Sequence, residues 1–284
     1  MKHIRIKRIE EKIFKGLMIV ATLTIVVSLF LILVAIIRRG LPVMNCDMIS
    51  KIPSGGFYLG KEGGLLNAIV GSLYIVLGSL VLGLAFSLPI VLYINLYLPE
   101  NSKLAQITRL SFDVLFGIPS IVYGAFGFTI MVYLGLRSSL LAGILAVTML
   151  IIPILIRSID EVVRRVPKEM KDAALSLGAT RSEIIWVILQ QVSPGIMTAI
   201  LLSVGRGIGD AASVLFTAGY TDSIPTSLGQ PVATLPLAIF FQLSSPIAEV
   251  QDRAYAAALI LTLIVLALSI AGRLYTRKFS KNKI

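Results

Sequence analysis

The sequence predicts an all-α, polytopic integral membrane protein with six transmembrane helices. Three observations carry this. The chain of 284 residues is 56% hydrophobic and only 14% charged, with a mean hydropathy of +0.90. Its apolar runs recur at twenty or more residues, the length that spans a ~30 Å hydrocarbon core at ~1.5 Å per helical residue. Its Lys and Arg residues fall asymmetrically between those runs. Backbone groups in lipid must be paired internally, and no strand-like alternation suggests a barrel.

The spans follow in order. The first covers about 14–37. It is too long for a signal peptide and ends in Arg38-Arg39-Gly40 rather than a small-residue cleavage site, so it is expected to stay as an anchor. The second covers 65–97 and contains Pro89; the third covers 112–136 and the fourth 139–159. The fifth covers 193–218 and the sixth 254–274. Pro89, Pro119, Pro153 and Pro194 each remove a backbone hydrogen bond, so bent helices around a path compete with ordinary membrane irregularity. The stretch ATLPLAIFFQL, 233–243, is apolar but too short to span and reads as an interfacial or re-entrant helix.

Charge sets the orientation. The N-terminal tail, the loop 98–111, the segment 157–190 and the tail from Arg273 hold nineteen of the 26 Lys and Arg; the opposite side holds six, and Arg206 lies inside a span. The positive-inside rule then places both termini in the cytoplasm and the chain in the plasma (inner) membrane. The same distribution explains the net charge of +11 without nucleic acid. Cys46 and His3 are the only residues of their kinds, so neither a disulfide framework nor a zinc spacing exists. No Walker-type loop, nucleophile elbow or H-E-x-x-H motif occurs, so the chain itself is expected to be no enzyme and to bind no cofactor.

Between spans four and five the lipid-like composition stops. VPKEMKDAALSLGATRSEIIW, 166–186, has Pro167 for a first helical turn, helix formers to Leu175, Gly178 as a helix stop, and Thr180 or Ser182 as the next cap. This is helix, glycine turn, helix, displayed in water, with a small Ala173-Ala174 face open to a partner groove. SVGRGIGDAAS, 203–213, is the second constellation. Arg206 lies thirteen residues past Ser193, ~20 Å into a span beginning there. A charge near mid-membrane costs about 2.5–3.5 kcal/mol on insertion scales and marks a functional position by default. Asp210, four residues on, would share its helical face, and Gly205 with Gly209 would admit a neighbouring helix. Arg206 and Asp210 are then either a structural ion pair or an anion-handling pair on the path. Asp113 is expected to cap the third span, and Asn67 to cap or make a helix contact.

These motifs resemble a family. The pattern D-A-A-x3-G after V-P-K-E is similar to the E-A-A cytoplasmic loop of ATP-binding-cassette (ABC) importer permeases. GGLLNAIVGSLYIVLGS, FGIPSIVYGAFGF, LGATRSEIIW, RGIGD and AYAAALILTLIVLALS narrow the likeness to PstA-type permeases of phosphate importers, over roughly 63–275. The resemblance implies a type-1 importer permease (MetI-like) fold. It divides the chain into a cytoplasmic tail at 1–13, a first helix with its outer loop at 14–62, a permease core at 63–275 with a coupling loop at 160–190, and a tail at 276–284.

The resemblance also implies partners: a cytoplasmic ABC ATPase dimer carrying ATP and Mg, a second, homologous (PstC-like) permease, and an extracytoplasmic phosphate-binding protein. Glu169, Asp172, Ala173, Ala174 and Gly178 would dock the ATPase, and Arg206 with Asp210 would handle the anion. Three departures stand out. Asp172 and Asp210 each replace a glutamate, and Gln190-Gln191 stands where the loop motif often closes with Leu-Pro. The same fold could serve molybdate, tungstate or sulfate. An ATP-independent channel or carrier is the rival of another class, and the water-exposed helix argues against it.

Overall fold

The computed structural model describes residues 2–54, 62–99 and 101–279. They form ten helices: α1 (Lys2–Gly40), α2 (Cys46–Ser50), α3 (Leu66–Leu96), α4 (Lys103–Phe116), α5 (Ser120–Tyr133), α6 (Leu140–Arg164), α7 (Lys168–Ser176), α8 (Arg181–Ile208), α9 (Leu235–Leu243) and α10 (Ala248–Phe279). Pro53–Ser54 and Glu62–Gly63 form a two-residue antiparallel pairing. Five helices are long and apolar enough to cross a membrane, and α4 with α5 supplies a sixth crossing if the bent pair counts as one span.

Helix α6 is the axis of the bundle. Val147, Ile151, Leu155, Ile156 and Ile159 along it are buried, and they pack with Ile75 and Val91 of α3 and with Ile188 and Val192 of α8. Lipid supplies no hydrophobic drive between helices, so close backbone approach and buried hydrogen bonds hold such contacts. A Cβ on Gly83 of α3 would come within 2.9 Å of Leu155, and Ser79 Oγ donates to the Ile144 carbonyl at 2.9 Å. A second core near the outer end joins Leu65, Ala68, Leu235, Ala238, Ala256 and Ile260. Helix α1 is the opposite case: its apolar window buries nothing within the chain. It touches α10 only near its end, where Arg39 pairs with Asp252 at 2.6 Å and lies 4.4 Å over the Tyr255 ring.

Several expectations change here. Residues 2–13 are helical and run on into the first span as the start of α1. Residues 280–284 of the expected C-terminal tail lie outside the described residues. The third span is not continuous. Helix α4 and helix α5 meet at 99° across Gly117-Ile118-Pro119, because Pro119 lacks the N–H that would continue the ladder and disfavours a helical residue before it. Asp113 therefore sits inside α4 and pairs with Arg157 at 3.3 Å instead of capping. Asn67 makes a contact, donating to the Thr221 carbonyl at 2.7 Å. The short helix expected at 233–243 is present as α9; one face of it packs against α3 and α10, while Phe240, Phe241 and Leu243 stay exposed.

Candidate functional site

Two regions carry the candidate residues. On one side of the bundle, α6 ends at Arg164 and α7 follows after three residues. No residue of α7 is buried. Gly178 closes it with φ +81°, in the left-handed region that glycine enters without steric cost. Thr180 then opens α8 with a full capping box, its side chain accepting from Glu183 N–H while Glu183 accepts from Thr180 N–H at 2.7 Å. The unit is stiff at both joints and open on its outer face. Glu169, Asp172, Ala173 and Gly178 are exposed, and Leu177 beside them is 88% exposed. Ala174 turns the other way and packs with Ala179 against the main core. Of the five docking residues expected, four share the open surface and Ala174 anchors the helix from beneath.

The second region is the far end of α8. Pro194 and Gln190-Gln191 do not interrupt this helix, which runs unbroken from the Gly178–Thr180 turn to Ile208. There it stops, ten residues short of the expected end. The level of the stop follows from packing. A Cβ on Gly207 would lie 3.2 Å from Val147 and 3.5 Å from Ile151. These residues stand roughly 10–17 Å along α6 from its outer end, close to mid-membrane for a ~30 Å core.

Beyond Ile208 the chain climbs back without regular structure. Its carbonyls take over the capping of α6: Ser139, Leu140 and Leu141 N–H groups donate to the Thr217, Gln230 and Leu228 carbonyls at 2.8–2.9 Å. These would otherwise be orphan donors at a helix start. Irregular backbone at membrane depth persists only where protein buries it or where it lines a cavity.

Arg206 occupies the last turn of α8, is exposed, and has no hydrogen-bond or ion-pair partner among the described residues. Its charge complements the negative end of the helix dipole. Asp210 lies past the helix end, where its Oδ2 accepts from Ser213 N–H at 2.8 Å. The expected shared helical face is therefore lost. Helical spacing carries no meaning after Gly209 ends the ladder, so Arg206 and Asp210 form no ion pair here. The Gly205–Gly209 pair is not a helix contact within the chain either: a Cβ on Gly205 would meet nothing, and Gly207 makes the close approach instead. The buried hydroxyls of Ser203 and Ser213 flank this end without partners among the described residues.

Sequence reasoning missed a third group. Asp160 of α6 is 7% exposed and accepts from Arg109 Nε of α4 at 2.9 Å and from Asn95 Nδ2 of α3 at 2.6 Å. An aspartate just inside the end of an apolar span was the available signal; its partners, 51 and 65 residues away, were not visible.

Spanning helices pack around a buried axis, one of them stops beside an arginine that has no partner among the described residues, and an exposed helix hangs between two of them. Residues 88–282 match the family model described as binding-protein-dependent transport system inner membrane component, and the chain belongs to that family. It is a multi-pass membrane protein. It is 33% identical over 273 residues to the phosphate transport system permease protein PstA of Haemophilus influenzae, covering 95% of this chain and 94% of that one. It is 39% identical to the protein of that name from Yersinia pestis, covering 78% and 74%. The fold is that of a membrane chain in the inward-facing MetNI methionine ABC transporter, with TM-score 0.63 and 19% identity over 76% of this chain and 95% of that one.

Proposed function

We propose that this protein is the membrane permease of an ABC importer for inorganic phosphate. The observation that carries the reading is α7, a helix with no buried residue held between two membrane helices by Gly178 and the Thr180 cap. Such a surface has no use inside a self-sufficient channel. A separate ATPase dimer, holding ATP and Mg, grips it through Glu169, Asp172, Ala173 and Gly178. With α4 and α5 taken together as one crossing, six crossings put both termini on one side, and the Lys and Arg excess supports the cytoplasmic side. A second, PstC-like permease covers the exposed faces of the 63–275 core and of α1, and an extracytoplasmic binding protein delivers the anion.

Phosphate is the substrate favoured by the PstA relatives and by Arg206. A guanidinium offers a planar fork to two phosphate oxygens, which a lysine ammonium does not reproduce. Asp210, held by the Ser213 N–H rather than by Arg206, leaves that fork free for the anion. The test is uptake of labelled phosphate by proteoliposomes holding the complete complex, with molybdate, tungstate and sulfate as competitors. Arg206→Ala and Arg206→Lys should each assemble and should lower uptake at least about tenfold, equivalent to ~1.4 kcal/mol of barrier. Wild-type rates in both variants end the role of Arg206, and competition by another oxyanion at lower concentration than phosphate reassigns the substrate.

A further inference from the structure

The buried Asp160 cluster joins three helices at the end of the bundle nearest α7. Arg109 reaches Asp160 with a fork, Nε to Oδ2 at 2.9 Å and Nη2 to Oδ1 at 3.2 Å, and the same Nη2 donates to Asn95 Oδ1 at 3.0 Å. Asn95 Nδ2 closes the ring by donating to Asp160 Oδ1 and to the Val91 carbonyl. The neighbouring pairs are of another kind. Arg157–Asp113 and Glu161–Arg165 are more than half exposed, so solvent screens them. Charge burial of the Asp160 type is a poor source of stability, since well-packed apolar residues often do as well or better. What the fork supplies is a fixed angle between α4 and α6.

That angle lies on a continuous mechanical route. On one side Asp160 stands four residues before the end of α6, and α7 follows three residues later. On the other side Arg109 stands on α4, which turns through the 99° elbow at 117–119 into α5. Helix α5 in turn presses on the irregular segment that bears Asp210. A Cβ on Gly124 would come within 2.7 Å of the Ala212 carbonyl oxygen and 2.9 Å of that of Ser213, and Gly127 faces Thr217.

We propose that Arg109, Asp160 and Asn95 form the joint that carries displacement of α7 to the α4–α5 elbow, and thence to the segment after α8. They are positioning residues for the coupling of ATP hydrolysis to transport. The inference rests on α7 being the ATPase-docking helix. It requires the cluster to set a ratio, the phosphate moved per ATP hydrolysed, rather than only the amount of folded protein.

The experiment measures that ratio in proteoliposomes holding the complete complex. Three variants are compared with wild type: Arg109→Lys, which keeps the charge but loses the fork; the double change Arg109→Met with Asp160→Leu, which replaces the buried pair by apolar groups; and the exchange Arg109→Asp with Asp160→Arg. Hydrolysis should continue in assembled complexes. The ratio should fall about fivefold or more in the first two, the lower end of measured coupling between distant sites, and the exchange should recover part of it. An unchanged ratio in Arg109→Lys overturns the inference, and so does an unchanged ratio in an assembled apolar double variant. Should that double variant fail to assemble, Arg109→Lys decides. A wild-type complex that hydrolyses ATP without moving phosphate counts against the substrate reading, whereas wild-type ratios in the variants count against the joint alone.

Discussion

Helices α7 and α9 are each nine residues long, and each interrupts the succession of spans. Every other property differs. KEMKDAALS keeps no residue buried, whereas LPLAIFFQL buries Leu235, Pro236, Leu237, Ala238 and Gln242. The first is closed by a left-handed glycine and faces water. The second is capped by Thr234, donates a hydrogen bond from Leu235 N–H to Ser72 Oγ at 2.8 Å, and packs its first turn into the core beside α3 and α10. A helix too short to stand alone must borrow its stability. Helix α9 borrows from burial; α7 borrows from the caps and joints at its ends and leaves its surface free for another chain.

The contrast predicts separable effects. Leu237 is fully buried, so Leu237→Ala should destabilise the purified chain by about 2–5 kcal/mol and lower its thermal midpoint in detergent. The loss of complex should follow from loss of chain. Asp172→Lys on α7 should do the reverse: the midpoint stays, while like charge at a docking surface costs several kcal/mol of partner affinity. Co-purification of the ATPase should then drop, and midpoint and co-purification falling together would erase the distinction between the two helices.

Smaller effects sharpen it. Gly178 has open space around its Cβ position, so Gly178→Ala should cost ~1–2 kcal/mol through the left-handed backbone alone, and Gly178→Asn should recover part. Protease cleavage within 168–180 should report the loosening. Thr180→Ala removes the cap for about 1 kcal/mol, and hydrogen exchange at the start of α8 should rise while the Leu237 region stays protected.

The two regions also differ in how legible they were. The caps and breakers of α7 are local chemistry. Pro167, Gly178 and Thr180 act locally: Gly178 and Thr180 are used as their types suggest, and Pro167 stands just before the first turn of α7 rather than in it. The end of α8 is not local. RGIGD has acceptable helix content apart from its glycines, and four-residue spacing put Arg206 and Asp210 together. The helix stops at Ile208 because the segment after it is occupied elsewhere, supplying carbonyls to the first N–H groups of α6. Pro119 was visible as a kink, but a 99° turn requires a neighbour for the resulting α4, and Asp160 is that neighbour.

The sequence by itself determined the long apolar spans, the asymmetry of charge between them, and the exposed helix with its two joints, because hydrophobic length, Lys and Arg placement and capping are each settled by residues close along the chain. Only the tertiary structure decided where α8 ends, that Arg206 stands apart from Asp210, that Ala174 faces inward, and that Asp160 binds Arg109 and Asn95. Those outcomes depend on which distant group satisfies a buried donor or charge inside a medium without water, and no local pattern records that choice.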